Sequence, residues 1–282
     1  MKKYIVLSLS LLLAHSDTFS TCKCCCACKK NQKYSIKKDA KQIVKNAYAQ
    51  AAKECTSCKV GCCCKTNNYD VSKYLGYSDK ELKMLSDANL GLGCGNPVKL
   101  SDIKEGETIL DLGSGAGLDC LLAAKKTGLS GQVIGIDFTE EMIKKAQENA
   151  QKYNITNVNF ILGDIEKLPL KDKSIDVILS NCVVNLAPNK DAVFNEANRV
   201  LKAGGRMFLS DIVLLENITD EQRQDAALIA GCVAGALLKD DYIKKIENYG
   251  FEIKVLGEDT KIRKQFYNNL PIVSLKLVAY KK

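Results

Sequence analysis

The chain has 282 residues, of which 26% are charged, 46% belong to the hydrophobic set and 14 are cysteine. This composition is typical of a globular protein and excludes a disordered chain, a collagen-like fibre and a polytopic membrane protein. No apolar run reaches the ~18 residues that a membrane-spanning helix needs, so we expect no stable membrane span. A chain of this length can bury a core without disulfide staples, which indicates that its thiols bind a metal or metalloid or carry out redox chemistry.

The positive charge is confined to the N-terminal segment. The first 60 residues carry 12 lysines and 3 acidic residues, whereas the remainder has 29 basic and 30 acidic residues. A nucleic-acid-binding domain carries its basic surface on the fold itself, so we expect no nucleic-acid partner. Residues 1–16 resemble a secretory signal, with Lys2 and Lys3 before an apolar stretch. This N-terminal sequence leaves secretion as an alternative location, although the reduced thiols described below favour the cytoplasm.

Ten of the 14 cysteines lie in the first 64 residues, in the runs CKCCCACKK and CTSCKVGCCC. A helix is predicted between these runs, at 37–53, from strong helix formers. Clustered thiols can bind soft cations, and a cysteine-rich tail with no defined site is the alternative. We divide the chain into a signal-like, cysteine-rich tail at 1–34, a helical, cysteine-rich segment at 35–98 and an α/β domain at 99–282.

From about residue 100, short apolar strands alternate with helices. Strands are predicted at 108–112, 132–136, 158–162, 175–179, 206–213, 251–256 and 273–279. Helices are predicted from the glycine loop to about 127, after Thr139, at 190–201 and at 240–248. This alternation predicts a parallel sheet that helices cover on both faces. A polar loop, rather than a helix, is predicted between the last two strands, which should therefore pair antiparallel.

A glycine loop follows the first predicted strand. Glycines at positions 113, 115 and 117 allow a sharp turn and a close approach of the backbone to a ligand. Asp137 ends the second strand, where open α/β sheets place a carboxylate on ribose hydroxyls. The spacing G-x-G-x-G differs from the dinucleotide pattern, and no phosphate-loop lysine follows. The loop therefore indicates a ligand that carries a ribose but no pyrophosphate.

The runs LDLGSGAG, GIDFTEEM and GDIEKLPL resemble motifs of the class I S-adenosylmethionine-dependent methyltransferases, over about residues 75–282. The resemblance implies a Rossmann-like α/β fold, with a seven-stranded, mostly parallel sheet and an antiparallel C-terminal strand. It implies S-adenosylmethionine as cofactor, with its methionine part on the glycine loop, its ribose on the acid after the second strand and its adenine near an acid after the third. The matching residues are Asp111, Gly113, Ser114, Gly115, Gly117, Asp137, Phe138, Met142, Asp164, Ile165 and, facing the site of methyl transfer, Asn181.

Three isolated cysteines indicate which kind of molecule accepts the methyl group. The runs ANLGLGCGNPV, SNCVVNLAPNK and GCVAGAL resemble the thiol-bearing motifs of arsenite methyltransferases. The resemblance implies that their cysteines, Cys94, Cys182 and Cys232, bind trivalent arsenic. A fourth family cysteine corresponds to one of Cys62, Cys63 and Cys64. Because arsenic must be reduced after methylation, we expect this cysteine to form a redox pair with Cys94. We place Cys182 at the end of the fourth strand and Cys232 in a helix-like segment, and we interpret Cys120 as a buried apolar residue.

Arsenic chemistry agrees with this residue set. Trivalent arsenic is soft and prefers sulfur ligands. It has no proton to remove, which agrees with His15 being the only histidine. Methylation formally oxidises arsenic, so beside the substrate arsenite we expect a thiol reductant, either thioredoxin-like or glutathione. We also expect a monomeric enzyme located in the cytoplasm. Two alternatives are a quinone- or sterol-type methyltransferase of the same fold and a thiol-rich metal-sequestering protein on a vestigial methyltransferase scaffold.

Overall fold

The computed structural model describes residues 40–54 and 68–282. All of them belong to one compact unit, Lys37–Lys282. Cys62, Cys63 and Cys64 and the predicted tail at 1–34 lie outside the described residues, so their roles stay predictions. Within the described ranges, no helix has both the length and the apolar character that crossing a bilayer requires.

Seven strands form one sheet in the order β3-β2-β1-β4-β5-β7-β6. Their bounds are β1 Thr108–Leu112, β2 Gln132–Asp137, β3 Val158–Leu162, β4 Ile175–Asn181, β5 Leu201–Leu214, β6 Phe251–Asp259 and β7 Ile272–Lys281. The first five strands pair in parallel. Strand β7 pairs antiparallel with both β5 and β6. The predicted seven-stranded, mostly parallel sheet with antiparallel C-terminal pairing is therefore confirmed.

Helices cover both faces of this sheet. Their bounds are α1 Ala40–Glu54, α2 Asn68–Tyr74, α3 Asp79–Met84, α4 Pro97–Leu100, α5 Leu118–Thr127, α6 Glu140–Lys152, α7 Lys190–Val200, α8 Asp220–Gln224, α9 Ala226–Ala230, α10 Lys239–Glu247 and α11 Ile262–Phe266. Successive side chains of a strand point to opposite faces. Ile109 of β1 accordingly joins one apolar cluster, while Leu110 and Leu112 join the other. The sheet thus lies at the centre of a three-layer fold.

Two element predictions were wrong in detail. The fifth strand begins at Leu201, where a helix was predicted to end, because Leu201 is buried and pairs with Ile175. The ladder then shifts register before Arg206, and Gly204, at φ +71°, lies in this irregular stretch. A glycine in a strand commonly marks such a bulge. The second error is the connection between β6 and β7, which contains α11 because Ile262 is buried in the same apolar cluster as Ile272.

Candidate active site

A cleft of about 1060 Å³, partly open to solvent, lies at the carboxyl ends of β1, β2, β3 and β4. In open parallel sheets this edge is where ligands bind. Residues of α1 and of the segment 88–93 form the opposite wall. Nine of the residues predicted from sequence to hold a cofactor line the cleft: Asp111, Gly113, Ser114, Gly115, Asp137, Phe138, Asp164, Ile165 and Asn181. A concave site with several convergent polar groups is typical of small-molecule binding.

The glycine loop forms the floor of the cleft. Gly113 has φ +67°, and a Cβ added there would lie 2.4 Å from Cγ2 of Val183, so glycine is required on both counts. The Oγ atom of Ser114 is buried and has no hydrogen-bond partner within the described residues. Buried polar groups are nearly always paired, so this hydroxyl is free to bind a ligand in the cleft.

Two predicted cofactor residues do not line the cleft. Gly117, at φ +93°, is the N-cap of α5, and a Cβ there would meet Phe160 at 2.9 Å. Its role is therefore close packing of the helix on the sheet, which is one of the uses of a glycine in such loops. Met142 is fully buried in a small apolar cluster with Ala116 and Leu90, behind the loop.

The cleft is acidic within the described residues. Asp111, Asp119, Asp137 and Asp164 line it, with Lys41 as the basic lining residue. The ammonium of Lys41 is already paired, lying 2.6 Å from both Asp164 and Glu166. Burial raises the pKa of Asp137, although this carboxylate accepts hydrogen bonds from the N–H groups of Thr139 and Gly115. A bound cation would stabilise the ionised form of these carboxyls, whereas a bound anion would oppose it, so the cleft favours a cationic ligand.

Asp119 is a residue of this wall that the sequence analysis missed. Its Oδ1 accepts a hydrogen bond from the Tyr77 hydroxyl at 2.7 Å, and its Oδ2 accepts one from Asn181 at 3.1 Å. Burial raises the pKa of Asp119 to about 6. An acidic residue in the first turn of the helix that follows a glycine loop was the available signal. Nothing local to the sequence indicates Tyr77, which arrives from a separate segment.

The three isolated cysteines converge beside the cleft. Cys94, Cys182 and Cys232 are all buried and unoxidised. The Cys232 thiol donates a hydrogen bond to the Cys182 carbonyl at 2.6 Å, and the Cys94 thiol donates to the Ser210 carbonyl at 3.0 Å. The sulfur atoms of Cys94 and Cys182 lie within 4.8 Å of each other and of a carboxylate oxygen of Asp211. Residues far apart in the chain thus form one thiol cluster, defined here as Cys94, Cys182 and Cys232.

The backbone at two of these thiols is unusual. Cys182 directly follows β4 as predicted and has φ +61°, and Cys232 has φ +65°. Cys232 lies in a turn after α9, so its predicted placement in a helix-like segment was wrong, because α9 ends at Ala230. Residues other than glycine and asparagine rarely adopt this left-handed backbone conformation. Such backbone strain is concentrated at functional sites.

The thiols are held in their neutral form. Burial raises the pKa of Cys94. Hydrogen bonding with Cys182 and burial raise the pKa of Cys232 well above its ordinary value. The hydrogen bond with Cys232 lowers the pKa of Cys182, but the bond with Cys94 and burial outweigh it and leave that pKa raised. Cys120 is separate from the cluster: as predicted it is buried, and its thiol donates to Oδ2 of Asp111 at 3.2 Å.

A second cavity of about 870 Å³ adjoins the first cleft and shares part of its lining. Cys182 and Cys232 line it together with Tyr48, Ile262 and Tyr267. Cys182 also lines the first cleft, so the two spaces meet at this residue. This arrangement allows a group bound by the thiols to face a second ligand across a short distance, which is the geometry that group transfer needs.

The sheet order and the acidic cleft at its carboxyl edge define a Rossmann-like α/β protein of the class I methyltransferase type. Residues 103–251 match the family model described as a methyltransferase domain, and the chain belongs to this family. The family and fold predicted from the glycine-loop motifs are therefore confirmed.

Several relatives are arsenite methyltransferases. One from Halobacterium salinarum is 48% identical over 193 residues, which cover 68% of this chain and 49% of the relative. One from Aquipseudomonas alcaligenes is 36% identical over 230 residues, covering 78% of this chain and 64% of the relative. The chain thus spans 49% and 64% of the length of these two curated relatives. Among solved structures, an arsenic(III) S-adenosylmethionine methyltransferase from Chlamydomonas reinhardtii is 32% identical with a TM-score of 0.56, covering 74% of this chain and 72% of that one.

Proposed function

We propose that this chain is an arsenite methyltransferase, which transfers methyl groups from S-adenosylmethionine to thiol-bound trivalent arsenic in arsenic detoxification. The observation that carries the proposal is the thiol cluster, placed where the cofactor cleft meets the second cavity. A methyltransferase for a quinone or sterol has no need of three buried thiols at this position. The names of the relatives and of the Chlamydomonas structure support the same activity.

The neutral state of the thiols suits arsenite as a substrate. Arsenite is an uncharged trihydroxide near neutral pH, and each thiol that replaces a hydroxyl forms an As–S bond and releases one water. The thiol proton leaves with the hydroxyl, so the exchange requires no net loss of protons to solvent. Raised pKa values at Cys94 and Cys232 are therefore compatible with arsenic binding. Three sulfur ligands satisfy a soft, three-coordinate centre and leave its lone pair for bond formation.

The cleft fits S-adenosylmethionine by the chemistry of its lining. The cofactor carries a sulfonium, an ammonium and a carboxylate, and with its net positive charge it would face an acidic wall that includes Asp111 and Asp119. Ser114 would offer its unpartnered hydroxyl, Asp137 would hold the ribose and Asp164 would lie by the adenine. When bound, the cofactor supplies an electrophilic methyl group. The protein contributes mainly proximity and alignment, by fixing the thiol cluster beside the cleft.

Return of methylated arsenic to the trivalent state takes two electrons. We propose that a thiol pair of the chain, Cys94 with one of Cys62–Cys64, supplies them by forming a disulfide. A thioredoxin-like protein or glutathione then reduces that disulfide by thiol exchange. The same redox requirement supports a location in the reducing cytoplasm, and we propose that the enzyme acts there as a monomer.

The test is product analysis with single cysteine variants. The wild-type protein, incubated with arsenite, S-adenosylmethionine and a thiol reductant, should yield methylated arsenic detectable by chromatography with mass spectrometry. Cys94→Ser, Cys182→Ser and Cys232→Ser should each weaken arsenite binding by at least about 10-fold to 100-fold, since even outer-shell changes at metal sites have effects of that size. Cys120→Ser is the matched control and should bind arsenite as the wild type does, because the Cys120 thiol lies apart from the thiol cluster and is hydrogen-bonded to Asp111.

The outcomes separate the competing functions. Unchanged methylarsenic formation in all three cluster variants would refute arsenic as the acceptor and favour another small-molecule methyltransferase. Failure of the wild type to bind S-adenosylmethionine in calorimetry, with binding of soft metals retained, would favour sequestration of metals instead.

A further inference from the structure

The side-chain amide of Asn181, the last residue of β4, is bonded to the loop that carries Cys94. Its Oδ1 accepts hydrogen bonds from the N–H groups of Cys94, at 3.0 Å, and Gly95, at 3.2 Å. Its Nδ2 donates to the Gly95 carbonyl at 2.9 Å. The reverse amide orientation would set an NH₂ group against two N–H donors, so the network determines the orientation. One side chain therefore binds three backbone groups next to the Cys94 thiol.

Close packing leaves this loop little alternative. A Cβ on Gly93 would lie 2.6 Å from the Asn181 amide, and a Cβ on Gly95 would lie 2.5 Å from Oγ of Ser210. From the other side, the Ser274 hydroxyl of β7 donates to the Cys94 carbonyl at 2.7 Å. Two side chains, Asn181 and Ser274, thus anchor the backbone that carries the Cys94 thiol, and the thiol itself donates to the Ser210 carbonyl. Of these two, only Asn181 lines the cofactor cleft.

The same amide also reaches the acidic wall of that cleft. Nδ2 of Asn181 lies 3.1 Å from Oδ2 of Asp119 and 3.1 Å from the Tyr77 hydroxyl, which itself donates to Asp119. A cationic ligand in the cleft would attract the Asp119 carboxylate and compete with the Asn181 amide for it. The amide donors would then be left to the Tyr77 hydroxyl and to the Gly95 carbonyl, which lies next to Cys94. In this way one amide connects the ligand of the cleft with the position of a thiol.

We propose that Asn181 is a positioning residue that couples occupancy of the cofactor cleft to the placement of the Cys94 thiol, so that cofactor and arsenite bind with positive cooperativity. The inference rests on the proposed function and deepens it, because it says that the cofactor and arsenite strengthen each other's binding whichever of them binds first. Binding free energies are linked reciprocally: the factor by which the cofactor strengthens arsenite binding equals the factor by which arsenite strengthens cofactor binding. Couplings between sites are commonly about 5-fold or larger.

The experiment is titration calorimetry of arsenite into the full-length protein, with and without saturating S-adenosylhomocysteine. This cofactor product cannot donate a methyl group, so binding is measured without turnover, and it keeps the ammonium that the acidic wall would attract although its sulfur is uncharged. A phosphine keeps the thiols reduced without binding arsenic as a dithiol would. We expect arsenite to bind the wild type about 5-fold or more tightly when the cleft is occupied. The reverse titration, of S-adenosylhomocysteine with and without arsenite, should give the same factor.

Three variants separate coupling from simple placement. Asn181→Ala should lose both arsenite affinity and the coupling factor. Asn181→Asp keeps the oxygen that accepts from the Cys94 and Gly95 N–H groups but removes the donor to both Asp119 and the Gly95 carbonyl. It should therefore keep more arsenite affinity than Asn181→Ala does, while its coupling factor falls to about 1. Ser274→Ala is the matched control: it removes the other anchor of Cys94, and should weaken arsenite binding while leaving the coupling factor as in the wild type. Melting temperatures establish that each variant is folded.

The possible results have distinct meanings. Wild-type protein that fails to bind arsenite or S-adenosylhomocysteine contradicts the proposed function and, with it, the coupling. Wild-type protein that binds both ligands with a coupling factor of 1 leaves the proposed function intact and overturns the role of Asn181. A coupling factor that persists in Asn181→Asp, or that Ser274→Ala abolishes equally, also overturns it.

Discussion

Gly113 and Gly115 occupy the same loop but should respond very differently to an added methyl group. Both have positive φ, +67° and +52°, so alanine at either position costs about 1–2 kcal/mol in backbone strain. At Gly113 the new Cβ would also lie 2.4 Å from Cγ2 of Val183, whereas nothing lies within 4 Å at Gly115. Forcing an extra methyl group into packed surroundings costs about 1–3 kcal/mol more. We therefore expect Gly113→Ala to destabilise by about 2–5 kcal/mol and Gly115→Ala by about 1–2 kcal/mol.

Urea unfolding of the two variants measures this difference, and a double-mutant cycle isolates its cause. Val183→Ala removes the atom of closest approach. Gly113→Ala should therefore lower the free energy of unfolding by at least about 1 kcal/mol less in the Val183→Ala background than in the wild type. Equal destabilisation by Gly113→Ala and Gly115→Ala, or a cycle with no interaction energy, would refute the contact with Val183 as the reason for glycine at position 113. Calorimetry with S-adenosylhomocysteine should in addition show weaker binding in Gly115→Ala, whose methyl group lies at the cleft wall.

Two further predictions concern buried carboxyls. Tyr77→Phe removes a hydrogen bond to Asp119 and should destabilise the protein by about 1.5–3 kcal/mol at pH 8. The loss should be smaller at pH 5, because the pKa of Asp119 is about 6 and its carboxyl is protonated at that pH. Equal losses in urea unfolding at the two pH values would contradict this prediction. Burial raises the pKa of Asp211 to about 7 against an ordinary 3.8, so ionising this group costs the folded state stability as pH rises from about 4 to about 7, by about 4 kcal/mol in total. Asp211→Asn, which retains an acceptor for the Tyr242 hydroxyl, should thus gain up to about 4 kcal/mol over the wild type at pH 8 and little at pH 4; a gain that does not depend on pH would contradict the assignment.

Much of the fold could be predicted because its signals are local. An apolar strand, a glycine turn and a helix follow one another within about 20 residues, and each is recognised by periodicity or by the special backbone of glycine. The errors occurred where local and tertiary preferences differ. Leu201 continues a helical pattern but is taken into β5 by pairing with Ile175, and α11 forms in a polar stretch because Ile262 has an apolar cluster to join.

The site was predictable to a different degree. Family resemblance singled out the isolated cysteines, and in the structure Cys94 lies near Cys182 while the Cys232 thiol donates to the Cys182 carbonyl just after β4. Their neutral state, however, depends on burial and on mutual hydrogen bonds. Asp119 had a weak sequence signal at best, since its importance arises from its contacts with Asn181 and Tyr77.

The sequence by itself determined the strand–helix alternation, the glycine loop with its acidic partner at the end of the second strand, and the uneven distribution of its 14 cysteines. Only the tertiary structure decided that Gly117 and Met142 lie behind the cleft, and that Asn181 joins the Cys94 loop to the cofactor wall. The physical reason is one of range: backbone periodicity acts over a few residues, whereas these contacts join segments that become neighbours only when sheet order and burial bring the strands together.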